Sequence, residues 1–275
     1  MTGVGGGRVL SPFWRHHPCG GGFAASSGRS PKTAPPARDA SVVWHEVECG
    51  AYTADLELWR ELASGCVGPI LDIGCGTGRV ALCLARSGYV VQGIDVDPDL
   101  VGAFNKWAGD LPASARVGDA RDFALDERFG LALAPMQVVQ LLSDAEERLA
   151  CLRRAATHLR PGGRLALAIV EELPRPVAGA PPLPDAREVD GWVYSSLPLE
   201  TVVDETAIAV RRLRQVVSPG GGLSEEVSEI ELRTLSAETL EREAVAAGLR
   251  PAGRREIPAT EAHVGSTVVV LEREG

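Results

Sequence analysis

A glycine-rich turn after a short apolar run most constrains what this chain can fold into. Residues 70–80 read ILDIGCGTGRV, with glycines at positions 74, 76 and 78, and a second apolar run further along the chain ends in Asp95. Glycine permits a positive φ and a close approach to the backbone, and the helix that follows offers free N–H groups. The pattern predicts a β-α-β unit that binds a nucleoside, with Asp95 accepting hydrogen bonds from the ribose hydroxyls.

The spacing of the glycines separates two classes of nucleoside cofactor. The dinucleotide fingerprint G-x-G-x-x-G would place its third glycine at Arg79, whereas this chain reads G-x-G-x-G. Three further segments follow in order: VGDA at 117–120 after a third strand, FGLALAP at 129–135 as a fourth, and LRPGG at 159–163 before a fifth. Together these segments resemble the class I S-adenosylmethionine-dependent methyltransferase family, of the type that acts on small molecules.

The resemblance implies an α/β fold, a Rossmann-like doubly wound sheet that is mostly parallel and ends in a C-terminal antiparallel hairpin. The hairpin strands are expected at 249–257 and 265–272, after a helix at 237–247. Residues 171–235 are too many for a simple strand-to-helix connection. They begin with prolines and continue with alternating apolar and polar residues. This alternation predicts an antiparallel β appendage inserted after the fifth strand.

Capping signals predict where two helices near the glycine turn begin. Thr53 is a candidate N-cap for a helix over 54–63, whose apolar residues recur at helical spacing. Asp97 is a candidate N-cap for a helix over 98–108, since Pro98 then occupies the first helical position and Gly109 ends the run. These helices are expected to flank the nucleoside-binding unit on either side in the sequence.

Residues 1–40 differ in composition from the rest of the chain. They are rich in Gly, Pro, Ser and Arg and carry a charge of +4, so that the remainder carries −13 of the total of −9. We expect a disordered leader at 1–40 and a methyltransferase domain at 41–275, with 171–235 as its appendage. A transit-type peptide, or a true start near residue 42, are alternative interpretations of the leader. The acidic body disfavours a nucleic-acid substrate and favours a small molecule.

Cysteine spacing and the length of apolar runs indicate whether the protein binds a metal, which compartment it occupies and whether it associates with a membrane. The six cysteines show no C-x-x-C spacing and no clustering with His, so no metal site is predicted. Unpaired cysteines of this kind are typical of a reduced, cytoplasmic protein. No apolar run approaches the roughly 20 residues that a membrane-spanning helix needs, so no membrane association is expected.

The resemblance implies which residues bind S-adenosylmethionine. The glycines are expected to bend around its methionine moiety, Asp72 to bind the ammonium, Asp95 to hold the ribose, and Asp119 with Ala120 to meet the adenine ring. Tyr52 either folds over the cofactor or is a core aromatic residue. The full cofactor-binding set is Asp72, Gly74, Cys75, Gly76, Gly78, Asp95, Val96, Asp119, Ala120, Pro135 and Tyr52.

Candidate residues for the acceptor lie after the fourth and fifth strands. The fourth strand ends APMQ, without the Asn/Asp-Pro-Pro-aromatic motif of nucleobase amino methyltransferases and without a Pro-Cys nucleophile. Met136 and Gln137 are therefore candidate substrate contacts. Glu171 stands at the end of the fifth strand, where ligands gather in such sheets, and is the candidate general base or amine anchor. A solvated acid at the start of a loop is the alternative for Glu171.

These observations predict the transfer of a methyl group to an N or O nucleophile of a small molecule. Because the sulfonium is already activated, the protein mainly aligns the reactants and excludes water. The alternative is a non-catalytic S-adenosylmethionine-binding or partner-regulating protein on the same fold. An NAD-dependent oxidoreductase is disfavoured by Arg79 at the third-glycine position and by the closing hairpin.

Overall fold

The computed structural model describes residues 40–171, 183–204, 206–260 and 263–275. Its helices are α1 Ala40–Glu48, α2 Leu56–Ser64, α3 Arg79–Arg86, α4 Pro98–Ala108, α5 Ala145–His158 and α6 Ala237–Ala246. Its strands are β1 Ile70–Ile73, β2 Val91–Asp95, β3 Ala113–Val117, β4 Phe129–Ala134, β5 Leu159–Ile169, β6 Asp185–Val189, β7 Trp192–Val203, β8 Ala207–Val217, β9 Leu223–Arg233, β10 Leu249–Ile257 and β11 Ser266–Arg273.

The central sheet has seven strands in the order β10-β11-β5-β4-β1-β2-β3. The pairings among β1 to β5 are parallel, and β11 runs antiparallel to both β5 and β10. The predicted doubly wound sheet with a closing antiparallel hairpin is therefore confirmed. The chain reverses its direction of winding between β1 and β4, and ligands of such sheets bind at the carboxyl ends of the strands beside this reversal.

The core lies on both faces of the central sheet. All four residues of β1 are buried, as are five of the six in β4. One apolar cluster joins the sheet to α2, α3 and α4, and a second joins it to α5 and α6. Parallel strands covered on both faces require continuous apolar runs, which explains why these segments do not alternate.

The predicted appendage is a separate four-stranded antiparallel sheet in the order β6-β7-β8-β9. β8 and β9 pair without interruption, from Val217 with Leu223 at the turn to Ala207 with Arg233 at the base. This sheet contacts α1 and the short 3-10 turn Val138–Leu141, which follows β4. It therefore lies on the carboxyl side of the central strands.

Helix α1 is the main element that the sequence did not predict. Trp44 and Val47 of α1 are buried against Tyr194 and Val216 of the appendage. This helix is nine residues long, and helices of this length depend on tertiary packing for their stability. The predicted leader at 1–40 lies outside the described residues except for Ala40, which is the first residue of α1. Among the described residues, no helix is long and apolar enough to cross a membrane.

Candidate functional site

The glycine turn links β1 to α3 at the carboxyl edge of the sheet. Gly74, Gly76 and Gly78 have φ values of 68°, 53° and 94°, a region that favours glycine. The backbone N–H groups of Gly74 and Cys75 both donate to the carbonyl of Ile94, at 2.8 and 3.0 Å. These two bonds hold the turn against the end of β2, beside Asp95.

Protein side chains fill the space beside each of the three glycines. A Cβ at position 74 would lie 2.7 Å from the side chain of Val138, and one at position 78 would lie 2.6 Å from Phe104. A Cβ at position 76 would overlap the ring of His45. The glycines are therefore required by internal packing as well as by backbone conformation. Cys75 is buried within the same turn, where its Sγ lies against the position that a Cβ on Gly93 would occupy.

Asp72 lies at the base of the turn and is 1% exposed. Its Oδ1 has no hydrogen-bond partner among the described residues. Burial raises the pKa of the Asp72 carboxyl to about 7, although the positive charge of Arg79 opposes this shift. A buried acceptor without a partner is unfavourable, and a cationic ligand group would satisfy it. The ammonium of S-adenosylmethionine is a group of this kind, so the residues fit the cofactor that the resemblance implies.

Asp95 is anchored by two backbone groups. Its Oδ2 accepts from the N–H of Gly76 at 2.8 Å, and its Oδ1 accepts from the N–H of Asp97 at 3.0 Å. A carboxylate has about four acceptor sites, so each oxygen retains capacity for a further donor such as a ribose hydroxyl. Val96 follows with 65% of its surface exposed, at the same edge of the sheet. Asp97 caps α4 by accepting from the N–H of Asp99 at 2.8 Å.

Asp119 and Ala120 follow β3 and lie next to Asp95. The N–H of Gly118 donates to the Asp95 carbonyl at 2.9 Å, which draws the two loops together. Arg121 binds the Asp119 carboxylate through its side chain and its backbone N–H, and the side-chain bond lowers the pKa of Asp119. Asp119 thus has a structural partner in addition to its predicted contact with adenine. Ala120 packs at the margin of the core.

The segment after β4 carries two left-handed residues that are not glycine. Met136 and Gln137 have φ values of 51° and 61°. Non-glycine residues in this region are strained and are often found at functional sites. The side-chain amide of Gln137 donates to Ser266 Oγ at 3.0 Å, while Pro135 is buried and Met136 is half-buried. The strained turn thus places these candidate substrate contacts beside the 138–141 turn and below the appendage.

Two further candidates have structural roles in the fold. Oε1 of Glu171 accepts from the N–H of Ala237, the first residue of α6, at 2.7 Å. Tyr52 is buried, stacks on His263 at 4.6 Å between ring centroids, and accepts a hydrogen bond from Arg79 through its carbonyl at 2.9 Å. Tyr52 also lines a cavity of about 440 Å³ beside the glycine turn. The roles of Glu171 and Tyr52 in the reaction remain predictions.

Helix α1 contributes further residues to the site. Of these, the sequence indicates only His45, which is a candidate to fold over the cofactor with less weight than Tyr52. Oγ1 of Thr77 in the glycine turn donates to Glu46 Oε1 at 2.7 Å and lies 3.2 Å from His45 Nδ1. Apolar residues at positions 43, 44 and 47 have helical spacing, and this is the signal that indicates the helix. The signal is weak because it covers only two turns.

The other end of α1 is tied to the appendage by charges. Glu48 accepts from the Arg214 guanidinium at 2.8 and 2.9 Å and from Ser196 Oγ at 2.8 Å. Burial opposes the ionisation of Glu48, but the bonds from Arg214 and Ser196 outweigh it and lower the pKa of this carboxyl. Glu46 also pairs with Arg187 at 2.6 Å. α1 therefore connects the glycine turn to the appendage.

A larger cavity lies at the opposite edge of the central sheet. It measures about 710 Å³ and is lined by Gly68, Pro69, Val90 and Arg128, which precede the strands, and by Arg160. None of the predicted site residues lines it. The carboxyl edge, which gathers the glycine turn, Asp95, the strained turn and α1, is therefore the candidate functional site.

Comparison with known proteins identifies relatives of this site. A family model described as a methyltransferase domain matches residues 70–163. The chain is 35% identical over 94 residues to a cypemycin N-terminal methyltransferase of Streptomyces sp. The aligned region is 34% of this chain and 38% of that protein. It is 28% identical over 158 residues to the dTDP-3-amino-3,4,6-trideoxy-alpha-D-glucopyranose N,N-dimethyltransferase of Streptomyces venezuelae, which covers 58% of this chain and 59% of that protein.

Matches to other curated relatives are also partial. A ubiquinone biosynthesis O-methyltransferase of Xanthomonas campestris is 29% identical over 107 residues, 38% of this chain and 44% of that protein. The chain thus spans about two fifths of the length of the first curated relatives it matches. The region that the family model matches contains the glycine turn and Asp95, and it ends before the appendage.

Solved structures share the fold. The sugar N-methyltransferase KedS8 from Streptoalloteichus sp aligns with a TM-score of 0.65 and 19% identity, covering 93% of this chain and 100% of that chain. The CcbJ methyltransferase from Streptomyces caelestis aligns with a TM-score of 0.62 and 22% identity, covering 82% and 92%. The alignments extend over nearly all of those chains, so the architecture as a whole is shared.

Proposed function

We propose that this protein transfers a methyl group from S-adenosylmethionine to a nitrogen or oxygen atom of a small molecule. Its residues 70–163 form a methyltransferase domain of the class I S-adenosylmethionine-dependent family. The observation that carries the proposal is the pair of carboxylates at the glycine turn. Asp72 is buried with an unpartnered oxygen, and Asp95 keeps acceptor capacity at the tip of β2. This arrangement suits a ligand that combines positive charge with a ribose.

Each part of the site has a physical task in the proposed reaction. The bound cofactor supplies a methyl group on a positively charged sulfonium. Asp72 and Asp95 bind and orient the cofactor. Met136 and Gln137, which follow β4 on the other side of the reversal between β1 and β4, contact the acceptor. The appendage, held over this edge by α1 and by the 138–141 turn, excludes water. Glu171 removes a proton only where the acceptor arrives protonated.

Among acceptors, an amine nitrogen is favoured over an oxygen. Two of the relatives named above are an N-terminal methyltransferase and an amino-sugar N,N-dimethyltransferase, and KedS8 is a sugar N-methyltransferase. An amine is also compatible with a site that contains the carboxylates of Asp72, Asp95 and Glu171. The ubiquinone relative is an O-methyltransferase, so phenols belong in the acceptor panel as the second class.

The test is calorimetric titration of the full chain with S-adenosylmethionine, S-adenosylhomocysteine and NAD. We expect saturable binding of the first two and none of NAD. Binding of NAD alone would refute the assignment. Consumption of labelled S-adenosylmethionine is then followed with small amines, amino sugars and phenols. Transfer to any of them supports the enzyme, whereas cofactor binding without transfer to the whole panel favours the non-catalytic alternative.

A further inference from the structure

His45 points one ring nitrogen into the glycine turn and the other at Thr77. Its Nε2 lies within the space that a Cβ on Gly76 would occupy, so the ring lies directly against that glycine. Its Nδ1 lies 3.2 Å from Thr77 Oγ1, and the Thr77 hydroxyl donates to Glu46 Oε1 at 2.7 Å. Nε2 makes no hydrogen bond within the part of the chain that the structure describes.

The hydrogen bonds of this cluster determine where the imidazole proton lies. A hydroxyl has one proton and an ionised carboxylate only accepts, so the Thr77 proton belongs to Glu46. The contact between Nδ1 and Oγ1 then requires a proton on Nδ1. In a neutral ring this leaves Nε2 unprotonated, with its lone pair facing the turn.

The surroundings keep the ring neutral near physiological pH. Burial lowers the pKa of His45 and outweighs the carboxylates of Glu46, Asp95 and Glu48, which raise it, while Arg79 acts in the same direction as burial. Glu46 is itself paired with Arg187 of the appendage, and this positive charge weakens the effect by which Glu46 raises the pKa of His45.

We propose that His45 is a cofactor-binding residue whose Nε2 accepts a hydrogen bond from the α-ammonium or a ribose hydroxyl of S-adenosylmethionine. Thr77 and Glu46 are positioning residues that fix the required tautomer. The proposal rests on the proposed function and adds a ligand contact from outside the conventional β-α-β unit. It is specific in chemistry, because an unprotonated Nε2 cannot donate to the cofactor carboxylate.

The location of Gly76 supports this assignment. Its N–H donates to Asp95, the residue expected to hold the ribose, so His45 faces the part of the turn where the cofactor must lie. α1 also carries Glu48, which is bound to Arg214 and Ser196 of the appendage. The appendage therefore holds His45 in place over the turn.

The first test reads the tautomer without any ligand. Nitrogen-15 NMR of histidine-labelled full chain at pH 7.5 is expected to show His45 with a protonated Nδ1 and a bare Nε2, assigned by loss of the signal in H45Q. In Thr77→Val, which removes the acceptor at nearly constant volume, the more common Nε2–H form should appear. Thr77→Ser, which keeps the hydroxyl, should match the wild type. An Nε2–H form in the wild type would overturn the tautomer and with it the proposal.

The second test measures S-adenosylhomocysteine affinity by calorimetry. We expect His45→Ala to weaken binding about ten-fold, His45→Gln to stay within about three-fold because its side-chain carbonyl can accept, and Thr77→Val to lose several-fold while Thr77→Ser does not. Melting temperatures identify any variant that fails to fold. Unchanged or tighter binding by folded His45→Ala would overturn the proposal while leaving the proposed function intact. Failure of the wild type to bind would refute both.

A third ligand identifies the donor. 5′-Methylthioadenosine has the ribose but lacks the amino-acid portion of the cofactor. If His45→Ala weakens its binding by the same factor as that of S-adenosylhomocysteine, the ribose is the partner. If the effect disappears, the ammonium is the partner. Both results support an Nε2 contact and differ only in the group that donates.

Discussion

Asp72 is a residue whose burial opposes folding and favours binding. Its pKa is about 7 in the folded protein and near 4 in an unfolded chain. Between these values the folded state holds the proton more tightly, so the contribution of Asp72 to folding stability is fully present below about pH 4 and is lost as the pH rises through about 7. A positively charged cofactor reverses this effect, because it stabilises the ionised form.

Replacing Asp72 by Asn tests this interpretation. The uncharged amide removes the cost of ionising a buried carboxyl, so we expect the cofactor-free variant to gain stability relative to wild type between pH 5 and pH 8, by on the order of 1–3 kcal/mol for a pKa raised from near 4 to about 7. S-adenosylhomocysteine should bind more weakly to the variant. Thermal denaturation at both pH values measures the first effect and calorimetry the second. The same stability difference between the variant and wild type at pH 5 and at pH 8 would contradict the assigned pKa.

Asp95 is the residue with the most direct predicted role in cofactor binding. Asp95→Ala should weaken S-adenosylhomocysteine binding by about 1.5–3 kcal/mol, the range for hydrogen bonds to a charged group. The same change removes an acceptor from Gly76 and Asp97, so Asp97→Ala serves as a control that removes the neighbouring helix cap and leaves the ribose contact in place. Calorimetry measures the S-adenosylhomocysteine affinity of both variants. If the two variants bind with equal affinity, Asp95 does not belong to the cofactor site.

At this scale the sequence predicted the residues with strong local patterns. The glycines and Asp95 are recognisable because backbone conformation and strand ends restrict the residue types. His45 and Thr77 carry no such pattern, because their relation depends on a helix that packs from a distant part of the chain. The bond from Ala237 to Glu171 is likewise invisible in the sequence, since α6 follows only after the appendage.

Among the elements, the two ends of the appendage are bonded to the same side chain, that of Gln140. Gln140 is fully buried; its amide donates to the carbonyls of Val170 and Arg233 at 3.0 and 2.9 Å, and its Oε1 accepts from the N–H of Val170 at 2.7 Å. Val170 is where the chain leaves β5, and Arg233 is where it returns from β9. This residue therefore fixes both ends of the appendage.

Gln140→Leu should destabilise the protein by at least about 2 kcal/mol, because it leaves several buried backbone groups without partners. Gln140→Glu is the comparison variant: it keeps the acceptor for Val170, but it loses the amide donor and places an ionisable carboxyl against the carbonyls of Val170 and Arg233. Chemical denaturation of both variants at pH 5 and pH 8 measures this, and the Glu variant is expected to lose stability relative to wild type as its carboxyl ionises at the higher pH. A Leu variant as stable as wild type would show that other contacts hold the appendage.

The appendage is expected to be required for methyl transfer. Replacing residues 175–233 with a short Gly/Ser linker removes the cover over the carboxyl edge and also the partners of Trp44 and Glu48 on α1. We expect loss of methyl transfer and, through α1, cofactor affinity several-fold weaker. Residual native activity, once an acceptor is known, would make the appendage an association surface. Circular dichroism confirms that the central sheet still folds.

Elements with sharp end signals agree with the sequence to the residue. α4 has Asp97 as its cap and Pro98 in its first turn, and it spans Pro98–Ala108 as expected. The expected bounds of α2, 54–63 with Thr53 as the cap, are wrong. The helix is Leu56–Ser64, and the Asp55 carboxylate is bound by Arg79 and Trp59. A tertiary ion pair, which local sequence does not reveal, shifts that boundary.

At the scale of the whole molecule, charge and chain order separate residues 1–39 from the rest. All the basic excess lies there, while the body carries the acidic excess. α1 begins at Ala40 and makes the contacts that join the glycine turn to the appendage. The boundary between a dispensable and an essential N-terminal segment should therefore fall at residue 40.

Two truncations locate that boundary. A chain beginning at Ala40 retains every contact of α1 that the structure describes, so its melting temperature and S-adenosylhomocysteine affinity should equal those of the full chain. A chain beginning at Cys49 loses Trp44, His45 and Glu48, so it should melt several degrees lower and bind the cofactor product at least ten-fold more weakly. Differential scanning calorimetry and titration measure both effects. A lower melting temperature for the chain that starts at Ala40 than for the full chain would show that residues 1–39 pack on the body. Equal melting temperatures and equal affinities for the two truncated chains would show that α1 contributes neither to stability nor to cofactor binding.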